Sequence, residues 1–210
     1  MNKSKRKGNI IIRLWSCIYT LKLSQWLKLK RNKMYTQWIS QFIGEVGNGV
    51  KFQKPLHLEG DGLDCVKIGN KTCFQEGCII GCRRHYGAQT FEPSIQIGSN
   101  CDFGAYCHIT SINRIEIGEG LLTGRFVFIG DNAHGVLSIE EGIFRPGERP
   151  LQSKGPIKIG KNVWLGDKVT VLGDVTIGEN VIVAANSVVT HDLPSNCMAA
   201  GCPAKVVKEL

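Results

Sequence analysis

Five histidines, nine cysteines and eighteen acidic residues are the groups in this 210-residue chain with the most scope for chemistry. An imidazole titrates near neutral pH, so it can accept or release a proton under ordinary conditions. Among His57, His85, His108, His134 and His191, His134 stands out within Ile129-Gly-Asp-Asn-Ala-His-Gly135, where Asp131 precedes it by three residues. A carboxylate at that spacing can orient an imidazole, and an Asp there can equally cap a turn. A histidine in this setting reads either as a general base or as a surface residue without a task. The run Cys73-x4-Cys78-x3-Cys82 lacks the tight paired spacing of zinc sites, and no metal is expected. No cysteine stands beside a recognisable basic partner, which argues against thiol catalysis. An odd number of cysteines in a chain too long to need stapling reads as reduced thiols in a cytoplasmic protein.

The elements that must position these groups follow from a repeat. From Ile159 the chain divides into sixes whose first residues are Ile159, Leu165, Val171, Ile177, Val183 and Val189. The fifth residues are Val163, Val169, Val175, Val181, Ser187 and Leu193, and the second is usually Gly or Ala. Neither a helix of period 3.6 nor a strand of period 2 keeps that register. A period of six means a short strand and a turn, repeated, so three repeats close a triangular coil with the first-position residue inside. The frame recurs upstream at Val46/Phe52/Leu58, Ile68/Phe74/Ile80, Ile97/Phe103/Ile109 and Ile117/Thr123/Ile129. About six coils are expected. In this frame Cys78, Cys101 and Cys107 occupy fifth positions and pack inside as small apolar groups.

Successive coils should start eighteen residues apart. The step from 68 to 97 leaves about eleven extra residues, assigned to Cys82 through Pro93, and the step from 117 to 159 leaves about twenty-four, assigned to Gly135 through Ile157. His134 stands at an outward sixth position where the second insertion departs. Loops leaving a solenoid at its corners usually carry function.

Charge separates the first 44 residues from the rest. They hold ten Lys and Arg (among them Lys3, Lys5, Arg6 and Lys7) and no acid, while from residue 45 onward sixteen basic residues face eighteen acidic ones. Trp15, Tyr19, Trp26, Leu27, Trp38 and Phe42 interleave with those cations without Pro or Gly between Ile11 and Phe42, which predicts a basic amphipathic helical arm. Two uses fit it. It can cap the end of the core, or it can lie on an anionic membrane surface. The neutral body offers no basic face to extend the arm's footprint, so no nucleic-acid partner is expected. The uncharged run Leu14 to Leu21 is too short to span a bilayer, and no cleavage site follows it.

From Ile115 to Leu210 the chain resembles the hexapeptide-repeat O-acetyltransferases, the group that includes galactoside and maltose acetyltransferases and the enzymes decorating O-antigen and capsular polysaccharide. The resemblance rests on Asp131-x-x-His134-Gly, on Ile157 to Gly166 with its Val-Trp-Leu-Gly, and on Ala200-Gly-Cys-Pro-Ala-Lys205. It implies a left-handed parallel β-helix, acetyl-CoA as acyl donor and a homotrimer with active sites at subunit clefts. It also implies His134 as general base, with Asp131 as its orienting partner or a corner cap, and the Asp167 backbone N–H as oxyanion donor. Coenzyme contacts carry over to Gly166, Asp167, Ala184, Ala185, Thr190, His191, Lys205 and Lys208, although His191 replaces the lysine usual at its position. The Asn-rich stretch of the sugar-specific enzymes is replaced here by Phe103-Gly-Ala-Tyr-Cys-His-Ile109, which argues against a galactoside or maltose acceptor. Tyr106, His108 and His85, with the Arg83-Arg84-His85-Tyr86 loop, are the candidate acceptor contacts.

The expectation is an all-β chain: an arm at 1–44, a β-helix at 45–210, and acetylation of a sugar hydroxyl in a surface-polysaccharide unit or its lipid-linked precursor. It would be cytoplasmic, or peripheral on the inner face of the membrane through the arm. A serine, free-sugar or antibiotic acetyltransferase is the alternative within the fold. A γ-type carbonic anhydrase shares the helix, but His85, His108 and His134 do not match its zinc motif. A non-enzymatic β-helix would not require the Val-Trp-Leu-Gly segment.

Overall fold

A computed structural model describes residues 10–135, 138 and 142–209. The cations Lys3, Lys5, Arg6 and Lys7, part of the loop after Gly135, and Leu210 lie outside these. The body is a left-handed parallel β-helix preceded by helices, with its strands in three long sheets of six, eight and six. Each coil contributes one short strand to each sheet in turn. Sequence register and spatial register coincide: Val46 pairs with Ile68, Ile68 with Ile97, and Ile117 with Ile159.

The aliphatic first positions face inward because the prism has no other apolar volume. Ile80, Ile109, Ile129 and Val171 form one buried column, and Phe52, Phe74 and Phe103 form another with ring centroids 5.3 and 4.4 Å apart. Cys78, Cys101 and Cys107 are buried as expected. At the edge between the first and second sheets, Asn162, Asn180 and Asn196 adopt φ of +55°, +56° and +61°. Asn tolerates this left-handed conformation, and its amide links coils. The Asn180 side chain donates to Asn196 at 3.0 Å.

The arm forms two helices, α1 (Ile10–Ile18) and α2 (Leu21–Ile39). The Thr20 hydroxyl caps α2 by accepting from the Leu23 N–H at 3.2 Å. The last turns of α2 dock closely, and further back in the helix Lys28 pairs with Glu76 at 3.0 Å. Ile39 is buried, the Tyr35 hydroxyl donates to the Leu56 carbonyl at 3.0 Å and accepts from the Leu56 N–H at 2.9 Å, and Thr36 makes the same pair of bonds with Phe52. These bonds satisfy backbone groups of the first coil that no preceding coil can pair. Trp15, Trp26, Leu29 and Met34 remain exposed.

Both insertions leave the helix at the edge between the third and first sheets. The first holds an antiparallel hairpin, His85–Tyr86 against Gln89–Thr90. The second begins and ends as an antiparallel pair, Asn132–His134 against Leu151–Ser153.

Candidate active site

The edge that carries His134 is built around Asp131. This carboxylate is 1% exposed and accepts from the Ser111 hydroxyl at 2.5 Å and the N–H groups of Ile112 and Asn113 at 2.9 and 3.1 Å. These donors form the tight corner of the preceding coil, so the carboxylate holds two coils together. That is the contact set of a corner cap. His134 stands three residues on, in the strand that departs the helix, and its imidazole is exposed.

The partner of His134 comes from the hairpin two coils earlier. The Tyr86 hydroxyl lies 3.3 Å from His134 Nδ1, and the two rings meet edge to face with centroids 5.5 Å apart. The same hydroxyl donates to the Gly147 carbonyl in the second insertion. Gln89, opposite Tyr86 in the hairpin, donates to the Leu151 carbonyl at 3.0 Å and accepts from the Leu151 N–H at 2.7 Å. Leu151 is in turn the strand partner of His134. Coils repeat about 4.8 Å apart, so the hairpin reaches about 10 Å over the short corner Ser111–Asn113 to make these contacts.

The hairpin is anchored at its base. His85 Nδ1 pairs with Asp61 at 2.5 Å, and Arg84 grips both oxygens of Asp64 at 2.6 Å. The His85 ring bond, then the Arg84 N–H, hold the Asp61 carboxyl well below the usual carboxylate range, and the Arg84 guanidinium lowers that of Asp64. His85 therefore binds the hairpin to the coil below it, and Tyr86 is the hairpin residue that reaches His134. Adjacent residues of a strand point to opposite sides, and the sequence does not say which side faces the site.

The edge between the second and third sheets has a different character. Gly124 is required there, because a Cβ would lie 2.1 Å from Asp167 Oδ1 and 2.5 Å from Asp167 N. The Asp167 carboxylate accepts from the Arg125 N–H at 2.8 Å. The Asp167 and Ala185 N–H groups have no acceptor among the described residues. Gly166 is set by packing as well, since its Cβ would meet Ala185 N at 2.6 Å. Ala184 is half-buried and Ala185 exposed on the same edge.

Tyr106 and Phe126 occupy successive coils on this edge with φ of +62° and +59°, a conformation bulky residues rarely adopt. Their rings stack, 5.1 Å apart and 8° from parallel, and both are about half exposed. Nothing in the six-residue frame singled out Phe126. On the outer face of the third sheet between the two edges, His108 packs edge to face on Phe128 at 5.3 Å, and burial lowers its pKa with Glu59 partly opposing.

The remaining sites are dispersed. Thr190 and His191 lie on the His134 edge two coils further on, where the Thr190 hydroxyl and His191 Nδ1 are 2.8 Å apart. They border a recess of about 700 Å³ that Lys154 and Lys158 also line. Lys205 and Lys208 are exposed on the final strand, Ala204–Glu209, antiparallel to Cys197–Gly201.

Residues 156–191 match the model of the bacterial transferase hexapeptide (six repeats). The chain is 40% identical over 127 residues to a putative lipopolysaccharide biosynthesis O-acetyl transferase of Escherichia coli (strain K12), covering 59% of this chain and 61% of the relative. It is 34% identical over 128 residues to the galactoside O-acetyltransferase of the same organism, covering 58% and 57%. The chain thus spans about three fifths of the length of these curated relatives. Among solved structures, an N-acyltransferase from Bacillus cereus in complex with dTDP and coenzyme A superposes with a TM-score of 0.65 at 18% identity, covering 82% of this chain and 88% of that one. A maltose O-acetyltransferase from Clostridium difficile 630 does so with a TM-score of 0.51 at 25% identity, covering 83% and 73%. The frame read from the repeats, the three sheets and these likenesses agree on a hexapeptide-repeat acetyltransferase-like fold, with acetyltransferases among its relatives.

Proposed function

We propose that this protein transfers an acetyl group from acetyl-CoA to a sugar hydroxyl, with His134 as general base. The observation that carries the reading is the exposed His134 imidazole, held at the mouth of an insertion in a hexapeptide helix with acetyltransferase relatives. His134 removes the acceptor's hydroxyl proton as the oxygen attacks the thioester carbonyl. The Asp167 N–H donates to the oxyanion of the tetrahedral intermediate, and the imidazolium returns its proton to the leaving thiolate. Asp131 acts one step removed, by fixing the corner from which the His134 strand departs.

Gly166, Asp167, Ala184 and Ala185 border the acyl donor in this reading, and Thr190, His191, Lys205 and Lys208 contact its polar end. Tyr106 and His108 face the acceptor, with Phe126 extending the Tyr106 ring into a flat apolar platform suited to a sugar face. The relative in lipopolysaccharide biosynthesis favours a surface-polysaccharide unit or its lipid-linked precursor as acceptor.

His134 and Asp167 lie on opposite edges of the third sheet, separated by strands of three residues that alone span about 10 Å. A second copy that sets its donor edge against the His134 edge brings the two groups together, and cyclic packing of three prisms does this three times. A homotrimer with clefts between subunits is the assembly we infer.

Attachment to an anionic membrane surface is the reading we favour for the arm. Ile10, Ile11, Trp15, Ile18 and Leu21 of the arm are exposed, and none of its residues is acidic. No helix among the described residues is long and apolar enough to cross a membrane.

Incubating the full chain with acetyl-CoA and a panel of lipid-linked and free saccharides, read by thiol release and mass spectrometry, tests the activity. Acceptor-dependent thiol release and a base-labile acetyl ester are expected. Thiol release that ignores every saccharide overturns the choice of acceptor class.

A further inference from the structure

The hydroxyl of Tyr86 has one proton and two lone pairs. A carbonyl oxygen can only accept, so the bond to Gly147 takes that proton. Towards His134 Nδ1, 3.3 Å away, the hydroxyl oxygen then presents a lone pair, and the bond forms only if Nδ1 carries hydrogen. A neutral imidazole has one N–H, which leaves the lone pair on Nε2. Such bonds are often long before substrate is bound.

We propose that Tyr86 is a positioning residue that fixes His134 as the Nδ1–H tautomer, making Nε2 the basic atom, and that the hairpin of residues 85–90 clamps the His134 strand pair. This rests on the acetyl-transfer reading only for its consequence in catalysis. The orienting group on a catalytic histidine is commonly a carboxylate. Here the nearest carboxylate in sequence, Asp131, accepts instead from Ser111, Ile112 and Asn113. Tyr86 supplies an uncharged substitute from an insertion that would otherwise have no evident reason to lean over two coils.

The clamp has two jaws. Tyr86 holds the imidazole and the Gly147 carbonyl, while Gln89, its cross-strand partner, holds both backbone groups of Leu151, the residue opposite His134. Among the described residues of the two insertions, Arg84 pairs with Asp64, His85 with Asp61 and Arg145 with Glu148, and the Arg149 Nε donates to the Phe144 carbonyl. A neutral partner imposes a tautomer without adding charge, so its removal redistributes the proton between the two nitrogens.

The test uses nitrogen NMR on the full chain labelled at histidine, at a pH where His134 is neutral. The signals of His134, assigned by their loss in His134→Ala, are expected to be those of a protonated Nδ1 and a bare Nε2. In Tyr86→Phe, which keeps the ring contact and loses the hydroxyl, they should shift to the Nε2–H form or an average of the two. Gln89→Ala loosens the second jaw and should leave the tautomer as it is. Activity gives a separate reading: Tyr86→Phe should lower kcat about ten- to a hundredfold, less than loss of the base itself, with KM for acetyl-CoA within about twofold. A protonated Nε2 in the parent protein, or an unchanged tautomer in Tyr86→Phe, overturns the proposal. Because the spectra need no substrate, they decide the role of Tyr86 even if His134→Ala keeps its activity and the acetyl-transfer reading fails.

Discussion

Asp131 and Ser111 are twenty residues apart in the chain and 2.5 Å apart in the fold, both buried, with the hydroxyl donating to the carboxylate. The same carboxylate takes two backbone N–H groups of that corner, so one side chain closes the turn of the coil beneath it.

Replacing Asp131 by Ala strands three donors at a buried corner. The expected loss is about 3 kcal/mol, within the range for removing the acceptor of several buried donors. Asp131→Asn keeps an acceptor oxygen and should lose less. Denaturant midpoints with unchanged slopes check both, and a loss below 1 kcal/mol for the alanine variant would contradict the cap.

His134→Ala should lower turnover by about two to four orders of magnitude, because general-base assistance is worth that much. Affinity for acetyl-CoA should stay nearly unchanged, since the base acts on the acceptor. Calorimetric titration with coenzyme beside initial rates makes the comparison. Turnover like that of the parent protein removes His134 from the mechanism.

The hairpin anchor carries its own pH dependence. The carboxyls of Asp61 and Asp64 titrate below their ordinary values in the fold, so their contribution is fully present above about pH 3.9 and lost as the pH falls through the lowered values. Amide exchange at Arg84 and His85, whose N–H groups bond Asp61, should stay slow at pH 5 after correction for intrinsic rates. It should rise only below about pH 4. Because both carboxylates are solvent-exposed, high salt should weaken the anchor. Release of the hairpin at pH 5 would place the anchor elsewhere.

The arm should bring the protein down with anionic vesicles and leave it in solution with neutral ones. Each basic residue near such a surface contributes about 1 kcal/mol, falling as salt screens it. Deleting residues 1–33 removes all the arm's cations and the exposed apolar side chains from Ile10 to Leu29, and keeps the docked turns that hold Tyr35 and Thr36. Binding that survives this deletion, or that ignores lipid charge, excludes the arm as the attachment.

Much of the fold follows from a local requirement repeated many times. Every sixth residue must fill the axis of a narrow prism, so the aliphatic frame from Val46 to Val189 marks each coil without knowledge of its neighbours. The lengths of the two insertions follow from the same count, because a paired coil admits no slack. Likewise the stretch between Ile11 and Phe42, with six cations, no acid and no Pro or Gly, reads as helical on composition alone.

The tertiary structure decided what depends on contacts between coils. Asp131 precedes His134 by three residues, which suits a pair, yet its donors come from a corner some twenty residues earlier, and their register is a property of stacking. His85 and Tyr86 are neighbours in sequence, and only the twist of the hairpin sends one to Asp61 and the other to His134. The arm's docked turns, from Met34 on, hold none of its ten cations and the residues before them hold all ten, yet that contrast does not say which backbone groups the docked side chains meet. Their division is set by where Leu56 and Phe52 leave backbone groups for Tyr35 and Thr36 to satisfy. The sequence determines the period, and the stacking of periods determines which side chains meet, because side chains that touch in a β-helix are a whole coil apart along the chain.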